Sequence, residues 1–328
     1  MLFQMPKLPS EMRITHINRR LEDQQHMVAA ATMDKKALKG FLKDQEKAQK
    51  QRSKDSRRVF VLDFHGDMSA SAVEHLREEI TLLLSMMNPA KDRVVLRLES
   101  PGGLVHGYGL AAAQLARLRE AGFHLTICVD KVAASGGYMM ACIGQEVIAA
   151  PFAVVGSIGV VAQMPNFHNL LKFLKIDFDV YTAGEYKRTV TVFGENTDSD
   201  KAKFESELQQ THALFKHFVE KYRPQLDVAQ VATGEHWYGE DAIKLKLIDR
   251  LQTSDAYLLS LLEKEDVYSI HSRRKPTLAE KLGLPAAAMI SQVATALVPV
   301  LAPQAKVWLQ SQATRLVSRI PEFRDPNY

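Results

Sequence analysis

Short apolar runs alternate with helical periodicity through the middle of this chain, at intervals of roughly thirty residues. Val59–Phe64 reads as a buried strand, after which Val73, Leu76, Ile80, Leu83, Leu84 and Met87 recur at helical spacing until Asn88-Pro89 stops the helix. Val94–Leu98 is the next strand and Tyr108–Ala121 the next helix; Leu125–Val129 is a strand, a helix begins at about Ser135, and Glu146–Ala150 is strand again. Such alternation predicts βαβ units, in which parallel strands are joined by right-handed crossovers. Ser71-x-x-Glu74 predicts a capping box on the first helix. Further on, Phe178–Thr182 reads as a strand, and Asp200–Tyr222, Gly239–Leu245 and Asp255–Leu262 read as helices.

A composition of 46% hydrophobic and 24% charged residues excludes wholesale disorder, and two cysteines without metal spacing build no zinc site. The net charge of +4 conceals a segregation. Residues 1–58 carry 14 Lys and Arg against 7 Asp and Glu, residues 59–269 carry 20 against 28, and residues 270–328 carry 8 against 3. The expected organisation is a basic helical stem (1–58), an acidic α/β body (59–269) and a basic, Ala- and Pro-containing helical tail (270–328). In the stem, Ile14, Ile17, Leu21, Val28, Ala31, Leu38 and Leu42 share one heptad frame, which suits a coiled coil or packing helix, or else a solvated basic helix. The basic ends suit an anionic membrane surface. They lack an aromatic platform or reading motif, so no nucleic-acid partner is expected. Residues 1–10 are too short for a signal peptide, and no apolar stretch in the first half could span a bilayer. The uncharged run Leu282–Ala305 holds three prolines and reads as an amphipathic or interfacial helix.

Three glycine-bearing turns follow strands. Glu99-Ser-Pro-Gly-Gly103 can point backbone N–H groups outward, as an oxyanion hole requires, or can be an ordinary strand-to-helix turn. In Ala133-Ala-Ser-Gly-Gly137, Ser135 stands at a helix N-terminus, where it either caps the helix or serves as a nucleophile. Gly156-Ser-Ile-Gly159 is neither a phosphate loop nor a dinucleotide fingerprint. A serine nucleophile needs a base. His65, His75, His106, His124 and His168 stand in no nucleophile-elbow order, and Lys187 in Gly184-Glu-Tyr-Lys-Arg188 would suit if desolvation lowered its pKa; otherwise it is a solvated loop lysine.

Taken in order, SPGG, VDKVAASGGYMMA, VGSIGV and GEYKR resemble the signal peptide peptidase A (protease IV) family, and within it the SohB-type membrane proteases, from about Val59 to about Ser260. The resemblance implies a ClpP/crotonase-type α/β fold of repeated ββα units. It implies a serine endopeptidase with a Ser–Lys dyad and an acyl-enzyme: Ser135 as nucleophile, Lys187 as general base and Ser157 orienting the lysine amine. Gly102, Gly103 and Gly136 would supply the oxyanion hole, with no metal and no cofactor. It further implies a peptide or unfolded polypeptide substrate and a ring or dome of identical subunits, in which the lysine can come from a neighbour. The expected location is the bacterial inner membrane, with the catalytic body on the periplasmic side and an anchor preceding the point where this chain starts. Two other readings share the fold: a catalytically inactive membrane scaffold and a crotonase-type acyl-CoA enzyme. One departure is Leu245-Lys-Leu-Ile-Asp249, where relatives commonly carry glycine before the second leucine.

Overall fold

The apolar runs at 59–64, 94–98 and 125–129 form adjacent central strands of a seven-stranded sheet in the computed structural model, which describes residues 10–52 and 57–274. In chain order the elements are β1 (Ser10–His16), α1 (Ile17–Thr32), α2 (Lys35–Arg52), β2 (Arg58–His65), α3 (Val73–Met86), β3 (Asp92–Glu99), α4 (Val105–Glu120) and β4 (His124–Val129). They continue with β5 (Val132–Ala134), α5 (Gly136–Ala141), β6 (Glu146–Ala149), β7 (Val154–Gly156), α6 (His168–Phe173), α7 (Asp198–Tyr222) and α8 (Val228–Val231). The last are β8 (His236–Tyr238), α9 (Gly239–Ala242), β9 (Arg250–Leu251), α10 (Ser254–Leu262) and β10 (Asp266–Arg274). The large sheet runs β1-β10-β2-β3-β4-β6-β9, and every pairing from β10 to β9 is parallel. A second sheet, β5-β7-β8, has one parallel and one antiparallel pairing. The architecture is the ClpP/crotonase-type α/β fold.

The reason is visible in the burial. Strands covered on both faces must be apolar at successive positions, and Val59, Val61, Leu62, Phe64, Val94, Val95, Leu96 and Leu98 are all buried. Leu76, Ile80 and Leu83 of α3 and Ala111, Leu115 and Leu118 of α4 close over one face. Tyr257 and Leu258 of α10 close over the other. Each fully buried aliphatic side chain contributes roughly 1.5–3 kcal/mol. Cys128 and Cys142 are buried free thiols, and burial raises both to about 12.

Several expectations are corrected. Ser71 caps nothing: its N–H and hydroxyl both donate to Asp67, whose carboxylate gathers the turn, and the helix begins with no side-chain cap. Residues 10–16 form a strand beside β10 instead of the start of a stem helix. The stem helix then breaks at Met33-Asp34, and Asp34 accepts from the N–H groups of Lys36 and Ala37 to begin α2. The two helices fold back so that Gln45 hydrogen-bonds Gln25 and His26. Phe178–Thr182 is not a strand; its residues are exposed and make no ladder. Met12–Arg273 form one compact unit, and the last strand runs from Asp266 to Arg274. Residues 275–328, with the run 282–305, lie outside the described residues. No described helix is long and apolar enough to cross a membrane.

The Lys246 departure has a structural consequence. The N–H of Leu247 bonds Ala242 O and that of Lys246 bonds Ile243 O, which is the paired closure of a Schellman motif after α9. Lys246 occupies its left-handed position with φ +61°. Lys246→Gly is expected to stabilise the protein by about 1 kcal/mol, read as a higher denaturation midpoint at unchanged m.

Candidate active site

Everything at the site follows from how three strand ends are stitched together. Ser100, just past β3, bridges to Ala133 of β5: its N–H bonds Val132 O and its carbonyl accepts from Ala134 N. On the other side, β5 pairs with β7 in the register Ala134↔Gly156. The next residues on these two neighbouring strands are Ser135 and Ser157. Both have φ +52°, and Ser135 N–H donates to Gly156 O at 2.8 Å.

Ser135 has φ +52° and ψ −118°, a conformation that costs a residue with a Cβ about 1–3 kcal/mol and persists only where its surroundings enforce it. The enforcement is steric. A Cβ on Gly102 (φ +90°) would come within 2.8 Å of Ser135 Cβ and of Gly136 N, and one on Gly136 would lie 2.4 Å from Tyr108 Cγ. The SPGG and SGG turns therefore interlock, and side chains at these glycines would separate them.

The Ser135 hydroxyl does not cap α5, and it has no hydrogen-bond partner among the described residues. With only six residues, α5 offers unpaired N–H groups more than a macrodipole. The three glycines differ. Gly102 N–H is turned inward and donates to Ser100 Oγ at 3.1 Å, so it shapes the turn and points no donor at Ser135. The N–H groups of Gly103 and Gly136 have no acceptor among the described residues, and both glycines line the cavity that holds Ser135. Motif reading did not reveal the brace beneath them. Ser100 Oγ hydrogen-bonds Tyr108 Oη at 2.6 Å, and that hydroxyl donates to Asp67 O at 2.8 Å. Burial raises the Tyr108 pKa, keeping the phenol protonated as a donor. Ser100 sits in the motif itself, but a tyrosine on the next helix gives no sequence sign of reaching back to it.

The cavity is about 340 Å³. Val105 and Tyr108 of α4, Met139 of α5, the 159–161 loop, and Leu214, Phe215 and Phe218 of α7 wall it. An apolar side chain can enter beside Ser135, while an adjacent carbonyl oxygen can face two free N–H groups. Among the described residues, no lysine, histidine or carboxylate lines it. Lys187 is elsewhere: it is exposed, in a turn where its N–H bonds Gly184 O, within an arm of residues 161–194. Asn166 closes the base of this arm on the carbonyls of Thr191 and Gly194, and Tyr186 lies against Lys203 Nζ of α7. The described single chain thus brings Ser135, Ser157, Gly103 and Gly136 together and leaves Lys187 outside.

Two family models match adjoining parts of the chain: peptidase family S49 N-terminal over residues 4–115, and peptidase family S49 over residues 117–268. The chain belongs to peptidase family S49. Relatives in this family include the "Probable protease SohB" of Haemophilus influenzae, 56% identical over 69% of this chain and 64% of its own length. Proteins with the same name in two Buchnera aphidicola subspecies are 55% identical over 64% of this chain and 62% of theirs, and 56% identical over 62% and 66%. The chain spans less than two thirds of the length of these S49 relatives. It is a SohB-type member by these matches, and the interlocked turns fall within them.

Proposed function

We propose that this chain is the hydrolytic body of a serine endopeptidase that cleaves peptide bonds in unfolded or membrane-associated polypeptides. The observation that carries the reading is Ser135: a strained residue with an unbonded hydroxyl, beside the free N–H groups of Gly103 and Gly136, at the mouth of an apolar cavity. Ser135 attacks the scissile carbonyl, and the oxygen becomes an oxyanion held by the two N–H groups. The peptide then breaks to give an acyl-enzyme, which water hydrolyses.

Neutral Lys187 takes the Ser135 proton and returns it to the leaving amine, with Ser157 orienting its amine. Because a single chain holds Lys187 away from the cavity, the dyad is completed between subunits. The arm's surface supports this: Val161, Phe173 and Tyr181 are 79%, 82% and 91% exposed, with Leu170, Ile176 and Phe178 also open to solvent. An apolar patch of this kind on one segment is what a subunit contact would cover. The assembly is a closed ring or dome at an anionic membrane surface, with the catalytic body on the periplasmic side of the bacterial inner membrane.

The test is complementation. Purified Ser135→Ala and Lys187→Ala proteins are each expected to be inactive on an unfolded polypeptide and unlabelled by a fluorophosphonate. Mixed and allowed to exchange subunits, they should regain up to about a quarter of wild-type turnover, since a randomly mixed contact joins an intact serine to an intact lysine one time in four. Inactivity of the mixture despite demonstrated exchange would sink the shared dyad, and labelling of Ser135→Ala equal to wild type would sink the nucleophile.

A further inference from the structure

On the sheet face away from the Ser135 cavity, α1, α10, β1 and β10 enclose a groove of about 730 Å³. Its floor is apolar, from Ile17 and Leu21 of α1 and Leu258, Leu259 and Leu262 of α10. Its rim is cationic. Arg13, Arg20 and Arg273 line it, and none has an ion pair or hydrogen bond among the described residues. A fourth arginine, Arg97, is already held by Asp63 through two hydrogen bonds, and the His271 ring lies 3.4 Å from the same carboxylate. Among the described residues, Asp255 is the only carboxylate lining the groove. Arg13, Arg20 and Arg273 all come from the basic segments that flank the acidic residues 59–269.

We propose that this groove binds the phosphate headgroup of an anionic phospholipid, with its glycerol and upper acyl region against the leucine floor. The inference rests on the membrane association proposed above and names the surface responsible for it. Three observations favour lipid. Guanidinium groups pair with phosphate oxygens through paired N–H donors, and among the described residues the basic side chains lining the groove are arginines and one histidine rather than lysines. The apolar floor is itself open to solvent, with Leu259 55% exposed, as an interfacial contact requires. The rim also draws on both basic parts of the sequence, with Arg13 in the first strand and Arg273 near the end of the last. The tail's own net positive charge makes it a poor occupant of a cationic groove.

The experiment is co-sedimentation of the full chain with vesicles of phosphatidylcholine alone and of 70:30 phosphatidylcholine and phosphatidylglycerol. Wild type should bind the anionic vesicles at least about tenfold more tightly. The Arg13→Ala/Arg20→Ala/Arg273→Ala protein should lose about tenfold or more of that affinity. A control carrying Lys35→Ala/Lys36→Ala/Lys39→Ala, which removes the same charge from α2, should lose less than about threefold. Equal losses in the two triple variants overturn the groove and leave membrane association standing. Failure of wild type to bind overturns both. Poly-glutamate binding that displaces the vesicles at equal charge concentration, with the same dependence on the three arginines, overturns lipid in favour of an acidic polypeptide. Matching melting temperatures establish that the variants are folded, and fluorophosphonate labelling without vesicles keeps the peptidase reading separate.

Discussion

Ser135→Ala is expected to lower kcat/KM on an unfolded polypeptide by about 10⁴-fold or more, which corresponds to a barrier higher by about 5 kcal/mol. The loss should come without loss of fold. The hydroxyl caps no helix and has no partner within the described chain, so its removal strands no buried group and opens no cavity in the core. Alanine inherits the same φ of +52°, so the backbone strain is unchanged. A stability change within about 0.5 kcal/mol is expected, as for an ordinary substitution outside the core. The pairing of the two measurements carries the argument. A helix cap would cost about 1 kcal/mol of stability on mutation to alanine and little turnover, which is the opposite pattern. Full activity in the alanine variant would remove Ser135 as nucleophile.

The largest stability effect is expected at a residue that touches no substrate. Arg223 is 1% exposed, ends α7, and donates to both carboxylate oxygens of Asp249 at 2.6 and 3.0 Å and to Lys246 O at 2.8 Å. Asp249 also accepts from Val147 N at 2.7 Å, tying the end of α7 to β6. Asp249→Ala leaves a guanidinium buried without its counter-charge, which costs about 3–5 kcal/mol. For a body of this size that lowers Tm by roughly 6–20 °C. Replacing the pair together, Arg223→Met with Asp249→Leu, should recover most of the loss, because an apolar pair of similar volume needs no desolvated charge. A loss under about 1 kcal/mol in Asp249→Ala would show that water reaches the guanidinium. The same helix carries Leu214, Phe215 and Phe218 into the cavity wall, so the loosened variant should also lose turnover.

The parts of the fold legible in the sequence are those where one physical demand dominates. β2, β3 and β4 are covered on both faces, so they read as largely apolar runs, and α3, α4 and α7 show their buried stripe at helical spacing. β5, β7 and β8 have three residues each, too few to display any period, and they hold Ser135 and Ser157 side by side. β1 reads Ser-Glu-Met-Arg-Ile-Thr-His, which gives the heptad frame only Ile14, and its place beside β10 makes it a strand. At Ser71, a capping motif lost to a nearer carboxylate. At the site, the glycines announced two unusual turns. That Gly102 spends its N–H on Ser100 while Gly103 keeps its own free depends on a tertiary contact with Tyr108, which no spacing encodes.

The matching bends at Ser135 and Ser157 place the proposed chemistry and the heat resistance of this chain in opposition. Each serine holds a positive φ that glycine would adopt without its Cβ clash, at the ends of two strands that sit side by side. The strain at the pair, of order 1 kcal/mol or more at each position, must be borne by the sheets that flank them. A lineage selected for thermal endurance alone would carry glycine at both places.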